Sequence, residues 1–403
     1  MQSRLALIFV LLTVMIDFIG IGIIFPVLPE LLRSVTGANI SSASLWGGVL
    51  ATAFAVMQFL FGPMVGNLSD RYGRRPVMLA ALAVMAFDYA VMSVAWSVWL
   101  LLVGRIVAGI AAATYPTANA YVADITAPEG RARMFGYIGA ALGAGFILGP
   151  LIGGSVAGWG PRAPFVVAAV IAAANLVFGA LVLPESLPAD RRRPFDPARA
   201  NPFAALRAIG HLPGLRRYLV IMFFYTLAFQ SYASVWAFYG TERFGWDGWW
   251  NGLSLALFGA CMVVVQAAGV APAIHRWGEK RTAGYGMAID VVAFGFYGFV
   301  SSGFWALIFT PIAAAAGIAG PALQGLMTNG TPDDQQGELQ GVISSVSSVA
   351  MGLAPMLMTA TFWLFTRPGT PLYLPGAPFL MSGVMMVVCV AVLVADPRAK
   401  PAP

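Results

Sequence analysis

Charge is sparse in this chain. Asp, Glu, Lys and Arg together make up 10% of its 403 residues, where a soluble domain carries roughly a quarter. That excludes an ordinary water-facing surface. Cysteine is nearly absent, and Cys261 and Cys389 both lie inside apolar runs, which excludes a disulfide framework and a cysteine-ligated metal centre. Only two histidines occur, His211 and His275, both in polar breaks. No group of residues has metal-ligand spacing, so no metal or other cofactor is expected. No nucleophile–base arrangement is visible, so an enzyme is not expected. The net charge of +6 does not point to nucleic acid, because the basic residues sit in short breaks rather than on one soluble face.

What is present is apolar: 59% of residues are hydrophobic, and they come in runs near membrane-spanning length. The first run, 5–28, is too long for a signal h-region and lacks a cleavage site, so it reads as a retained helix. Twelve spans are expected, at 5–28, 46–68, 77–95, 98–121, 134–157, 163–183, 216–241, 249–273, 281–300, 303–328, 338–365 and 374–395. The fold class is therefore an all-α membrane protein. Lys and Arg set the orientation. One set of alternating breaks holds Arg4, Arg71, Arg74, Arg75, Arg131, Arg133, Arg276, Lys280, Arg281, Arg398 and Lys400, and a run of arginines from Arg191 to Arg217. The opposite set holds only Arg33, Arg162, Arg243 and Arg367. Both termini are thus expected in the cytoplasm.

The longest polar break, 184–215, is rich in Pro, Arg and Asp. It reads as a cytoplasmic linker with a short amphipathic helix near 202–210. It divides the chain into an N-terminal half, 1–183, and a C-terminal half, 216–403, of six spans each. The halves echo one another, since "RYGRRP" (71–76) returns as "RWGEKR" (276–281) after the second span of each half. Two such pseudo-symmetric halves suggest a transporter with a site near the midplane.

The loop after the second span, "GNLSDRYGRRPVML" (66–79), packs Asp70, Arg71, Arg74 and Arg75 between Gly66 and Gly73. Positive-inside anchoring accounts for the arginines. Gly66, Asp70 and Gly73 ask for more: close backbone approach or unusual dihedrals, and a carboxylate at a helix end. In the fifth span, "GYIGAALGAGFILGPLIGG", small residues including Gly145, Gly149, Gly153 and Gly154 allow close helix packing. Pro150 permits a bend there.

Four charged residues fall inside spans, where each costs at least about 2.5–3.5 kcal/mol on insertion scales. Asp17 lies in the first span beside Gly20, Gly22, Pro26 and Pro29. It reads as a proton-coupling or substrate-contacting group, or else as a neutral structural acid, since buried carboxyls can hold a proton near neutral pH. Asp88 and Arg105 fall in the third and fourth spans, and either Asp17 or Asp88 can serve as the partner of Arg105. Asp290, in the ninth, is a second protonatable acid or a structural one. Gln58, Asn119, Gln230, Gln266 and Gln324 suit a cavity wall or helix-to-helix hydrogen bonds. Tyr115 and Trp236 add aromatic surface for a bulky ligand, or packing.

The loop at 66–79 resembles the signature of the major facilitator superfamily, Gly-x-Leu-Ser/Ala-Asp-Arg/Lys-x-Gly-Arg/Lys-Arg/Lys, at Gly66, Leu68, Ser69, Asp70, Arg71, Gly73, Arg74 and Arg75. The resemblance implies that this loop latches the cytoplasmic gate, with Asp124, Glu129, Arg131 and Arg133 of the next inside loop as partners. "LGPLIGG" (148–154) is similar to the helix-5 motif of the antiporter branch, which implies export. "DFIGIGIIFPVLPELLR" (17–33), "AYVADIT" (120–126), "TERFGW" (241–246) and "GPALQGLMT" (320–328) resemble the tetracycline/proton antiporters. That resemblance implies exchange of a magnesium–tetracycline chelate for a proton, by a monomer surrounded by lipid in a bacterial inner membrane. Asp17, Asp88, Arg105 and Asp290 fall where that branch keeps its membrane charges. Met262 stands where it usually carries a histidine, so coupling falls on the acids, or substrate and coupling differ. The alternatives are export of another amphipathic compound and proton-coupled nutrient uptake, against which the helix-5 motif speaks. A non-transporting receptor or membrane enzyme has only the buried acids in its favour.

Overall fold

The computed structural model describes residues 2–112, 114–127, 130–197, 200–203, 213–332 and 335–395. Arg199, Arg207, His211, Arg398, Lys400, Glu129 and most of the expected amphipathic helix at 202–210 lie outside the described residues. Among the described residues every regular element is helical. Hydrocarbon offers the backbone no hydrogen-bond partner, and a helix satisfies its own.

The helices of the first half are α1 (Gln2–Ile24), short α2 (Leu28–Thr36), α3 (Ile40–Tyr72), α4 (Arg74–Val94), α5 (Val98–Ala111), α6 (Thr114–Ile125), α7 (Arg131–Val156) and α8 (Ala163–Val182). After the linker come α9 (Arg216–Phe229), α10 (Ser231–Phe244), α11 (Gly248–Val264), α12 (Val270–Phe299), α13 (Gly303–Ala315), α14 (Ala319–Asn329), α15 (Gln336–Thr366) and α16 (Ala377–Val394). Among the described residues eleven stretches are long and apolar enough to cross a membrane. The spans expected at 249–273 and 281–300 run together in one of them, Gly248–Phe299, 52 residues long. Gly278 breaks it, with φ 73° and ψ 163°. A side chain there is disfavoured by that backbone, so a glycine marks the division between the two arms. Large apolar side chains stand outward, Leu181 at 81% exposure, Val384 at 65% and Phe87 at 64%. Such faces suit lipid, not water.

The chain forms two compact units. Unit 1 comprises residues 1–39, 49–202 and 246–256, and unit 2 comprises 40–48, 203–245 and 257–403. The division at 202/203 falls inside the expected linker, and two short stretches group away from the half that sequence order assigns them. The contacts explain why. In unit 1 a Cβ on Gly154 would stand 2.7 Å from the Gly248 carbonyl oxygen. In unit 2 Thr366 donates to Ser41 (2.9 Å).

Unit 1 is centred on α1 against α7, whose backbones nearly touch. A Cβ on Gly149 would lie 2.7 Å from the Ile19 carbonyl oxygen, and one on Gly153 would lie 2.9 Å from the Ile23 Cα. The glycines of the fifth span therefore serve close helix packing. Phe9, Val14, Met78, Tyr121, Val122 and Ile138 fill the interior beside them. Unit 2 has an aromatic interior. Tyr232, Trp236 and Tyr239 of α10 meet Tyr297 of α12 and Phe379 of α16, with ring centroids 5.0–6.1 Å apart.

Candidate functional site

The charged centre of unit 1 is built from α1, α4, α5 and α6. Arg105 on α5 forms an ion pair with Asp88 on α4 through its Nη2. Of the two acids open as partners of Arg105, Asp88 holds it. Gly104 makes room: a Cβ there would lie 2.6 Å from Asp88 Oδ1. The guanidinium also sits 3.0 Å from the Met92 sulfur and 5.6 Å from the Phe54 ring centroid. Asp88 is 1% exposed. Removing either partner of such a pair leaves a buried charge uncompensated, typically at a cost of about 3–5 kcal/mol. Asp17 on α1 is half-buried, and the Thr114 side chain of α6 hydrogen-bonds to it.

The acid of unit 2 is different. Asp290 on α12 is fully buried, and neither carboxyl oxygen has a hydrogen-bond partner among the described residues. Its neighbours include the phenols of Tyr225 and Tyr232. An ionised carboxyl without a partner is very costly in such a place, so this site suits the neutral acid.

The polar residues expected on a cavity wall divide. Gln58, Tyr115, Gln266 and Gln324 are exposed, and Asn119 and Gln230 are half-buried. Trp236 is not on such a surface: it is 5% exposed and packed among Tyr232, Tyr239, Tyr297 and Phe379. Its bulk fills the aromatic core of unit 2. Gln266 donates to the Gly317 carbonyl (3.2 Å) from a π-helical turn, Val265–Gly269, and Gln324 pairs with Gln340 (3.3 Å). Met262 would touch a Cβ placed on Gly317, at 2.8 Å. Single π turns often mark functional sites, and no sequence signal announces this one.

The charged loop is a closed network within unit 1. Asp70 and Arg74 form an ion pair one helical turn apart (2.5 Å), and Arg74 Nε reaches Asp124 Oδ2 (3.0 Å). Ser186 of the linker donates to the same Asp124 oxygen (3.2 Å). Arg131 and Arg133 do not join. They donate to the Thr126 carbonyl (3.3 Å) and the Tyr137 hydroxyl (2.8 Å), because α7 carries them on its own first turns. Arg71 lies over the Tyr72 ring. A Cβ on Gly66 would meet nothing within 4 Å, so close approach is not what that glycine supplies here. Gly73 is the demanding position. It has φ +107°, and a Cβ there would collide with the Glu185 carboxylate.

Glu185 is the residue the pattern of the sequence did not reveal. Its Oε1 accepts the Arg74 N–H (2.8 Å) and its Oε2 the Arg75 N–H (3.3 Å), capping the otherwise unsatisfied first turn of α4. The linker continues along the same face, with the Arg193 N–H donating to the Asp70 carbonyl (3.1 Å) and Asn67 donating to the Asp196 carbonyl (2.5 Å). The only signal in the sequence is a lone acid just past the last apolar residue of the sixth span.

Comparison with known proteins places the chain in a family. The Major Facilitator Superfamily profile matches residues 10–355. The chain is 39% identical over 391 residues to the class C tetracycline resistance protein of Escherichia coli, covering 95% of this chain and 98% of that protein. It is 37% identical to the class G tetracycline resistance protein of Vibrio anguillarum, covering 97% of each. Among solved structures, the human organic anion transporter MFSD10 (TETRAN) aligns over 97% of this chain and 99% of its own, with 26% identity and a TM-score of 0.69.

Proposed function

The chain belongs to the major facilitator superfamily, and from that premise we propose that it is a proton-coupled antiporter that exports a tetracycline, as a magnesium chelate, by alternating access. It is a multi-pass protein of the bacterial inner membrane and a transporter rather than an enzyme. The reading includes twelve crossings, counting the two arms about Gly278 separately, with both termini in the cytoplasm.

The observation that carries proton coupling is the contrast between two buried acids. Asp88 has a counter-ion in Arg105, while Asp290 has neither cation nor hydrogen-bond donor among the described residues. An acid in that setting is accommodated protonated and must be reached by water or substrate to ionise. Asp290 thus takes and gives the proton on the unit 2 side, and half-buried Asp17 does so on the unit 1 side. Met262 does not titrate, so the acids carry coupling between them. Drug export draws its support from the relatives, tetracycline resistance proteins that span nearly the whole chain. Magnesium enters with the substrate. The loop from Asp70 to Arg75 and Asp124 acts as the cytoplasmic latch.

Inverted membrane vesicles test the reading. With an imposed pH gradient they are expected to accumulate tetracycline in the presence of magnesium, and to lose that accumulation when magnesium is chelated. Asp17→Asn and Asp290→Asn are expected to abolish gradient-driven uptake while leaving the protein inserted. Uptake by either variant at the wild-type rate removes that acid from the coupling path, and no uptake by the wild type removes tetracycline as the substrate. Met262 favours one second reading, export of a different amphipathic compound. A susceptibility panel in cells expressing the chain separates the two.

A further inference from the structure

Tyr89 has no role in the transport scheme above, yet it occupies the middle of the unit 1 charged centre. It is 1% exposed, and its hydroxyl has no hydrogen-bond partner among the described residues. A buried hydroxyl left so is costly, by about 1–3 kcal/mol, and rare enough to require a reason. Its ring leans from α4 onto α1 at Gly20. A Cβ there would stand 2.8 Å from Tyr89 Cε2 and 3.0 Å from the hydroxyl oxygen. Gly20 lies three residues beyond Asp17, on the same face of α1. The charged groups around the phenol are Asp17 from α1, Asp88 from its own helix and Arg105 from α5, and α6 adds the Thr114 side chain to Asp17. A fully buried donor with no acceptor thus packs on the face of α1 that carries Asp17, an acid without an ion pair among the described residues.

We propose that Tyr89 is a positioning residue of this centre: its hydroxyl donates to the Asp17 carboxylate when Asp17 releases its proton, and holds that carboxylate beside the Asp88–Arg105 pair. When Asp17 is protonated the hydroxyl is released; in the structure the hydroxyl has no hydrogen-bond partner among the described residues. Arg105 already holds Asp88 through Oδ2, while Asp88 Oδ1 has no hydrogen-bond partner among the described residues and is the competing acceptor, so Asp17 takes the phenol's single proton as the acid without a cation. Gly20 is part of the device, because any side chain there would push the ring off α1.

The inference rests on the proton-coupling role given to Asp17, and its test needs no transported substrate. Infrared spectra of the full-length chain in lipid, taken across a pH series, report the C=O stretch of protonated carboxyl groups. The band lost in Asp17→Asn belongs to Asp17. In Tyr89→Phe that band is expected to change frequency, and the pH at which it is half-developed is expected to move by about one unit, the worth of one hydrogen bond to a charged group. Gly20→Ala keeps the hydroxyl but displaces the ring, and is expected to move the band as well. An Asp17 band superimposable on wild type in both variants overturns the proposal. Tetracycline uptake measured on the same preparations separates the two ideas. If the band shifts but the wild type moves no tetracycline, the substrate is wrong and Tyr89 keeps its role.

Discussion

At the scale of single residues, the cytoplasmic loop shows two glycines with different duties. Gly73 combines a left-handed φ of +107° with a Cβ position already taken by the Glu185 carboxylate. Gly66 sits in a helix with open space where its Cβ would be. Gly73→Ala is therefore expected to destabilise the protein by about 1–3 kcal/mol, through backbone strain and loss of the Glu185 cap. Gly66→Ala is expected to leave the melting temperature in detergent unchanged or slightly raised, as alanine favours a helix. Equal melting temperatures for the two variants would contradict this division. Both glycines belong to one sequence signature, and the pattern alone treats them alike. What separates them is an acid 112 positions downstream of Gly73, which no local pattern connects to it.

At the scale of elements, the contact of α1 with α7 depends on the absence of side chains along one stripe. Gly149 and Gly153 face the Ile19 carbonyl and the Ile23 backbone. Gly153→Leu is expected to separate the two helices and lower the folded yield sharply, as read by size-exclusion profile and thermal unfolding. The same substitution at Gly158, where a Cβ meets nothing within 4 Å, is expected to leave both unaltered. This stripe was legible in the sequence because small residues at short spacing have one strong physical meaning in lipid. The partner helix was not legible, because spacing describes a face and not what covers it. The π turn at Val265–Gly269 was equally hidden, since one extra residue in a helical turn leaves no mark on an apolar run.

At the scale of the whole molecule, the apolar runs foretold the helices well. Hydrocarbon allows only self-satisfied backbones, and hydropathy reads that constraint directly. They also put the break between 249–273 and 281–300 where Gly278 divides Gly248–Phe299, and missed only that the two arms meet there without an intervening loop. The membership of residues 40–48 and 246–256 was also out of reach, because it depends on contacts between distant stretches such as Thr366 with Ser41. The proposed topology makes a direct prediction. In a cysteine-free background, a cysteine introduced at Ser186 or Arg276 is expected to react with an impermeant thiol reagent only after the cells are opened. One at Gly158 or Thr370 is expected to react in intact cells. The opposite pattern inverts the orientation, and reaction of all four in intact cells removes it.

The linker's attachment to the charged loop bears on where the chain can be lengthened. Tolerance to insertion follows the burial and hydrogen bonding of the backbone that is opened. Between Glu185 and Asp196 the main chain is tied down at Leu187, Arg193 and Asp196. An epitope tag spliced into that stretch would pull the cap from α4, although composition marks it as an ordinary hydrophilic spacer. The turn at Gly158–Gly160, with open space around both glycines, is the better site for a tag, a fluorophore or a fused domain.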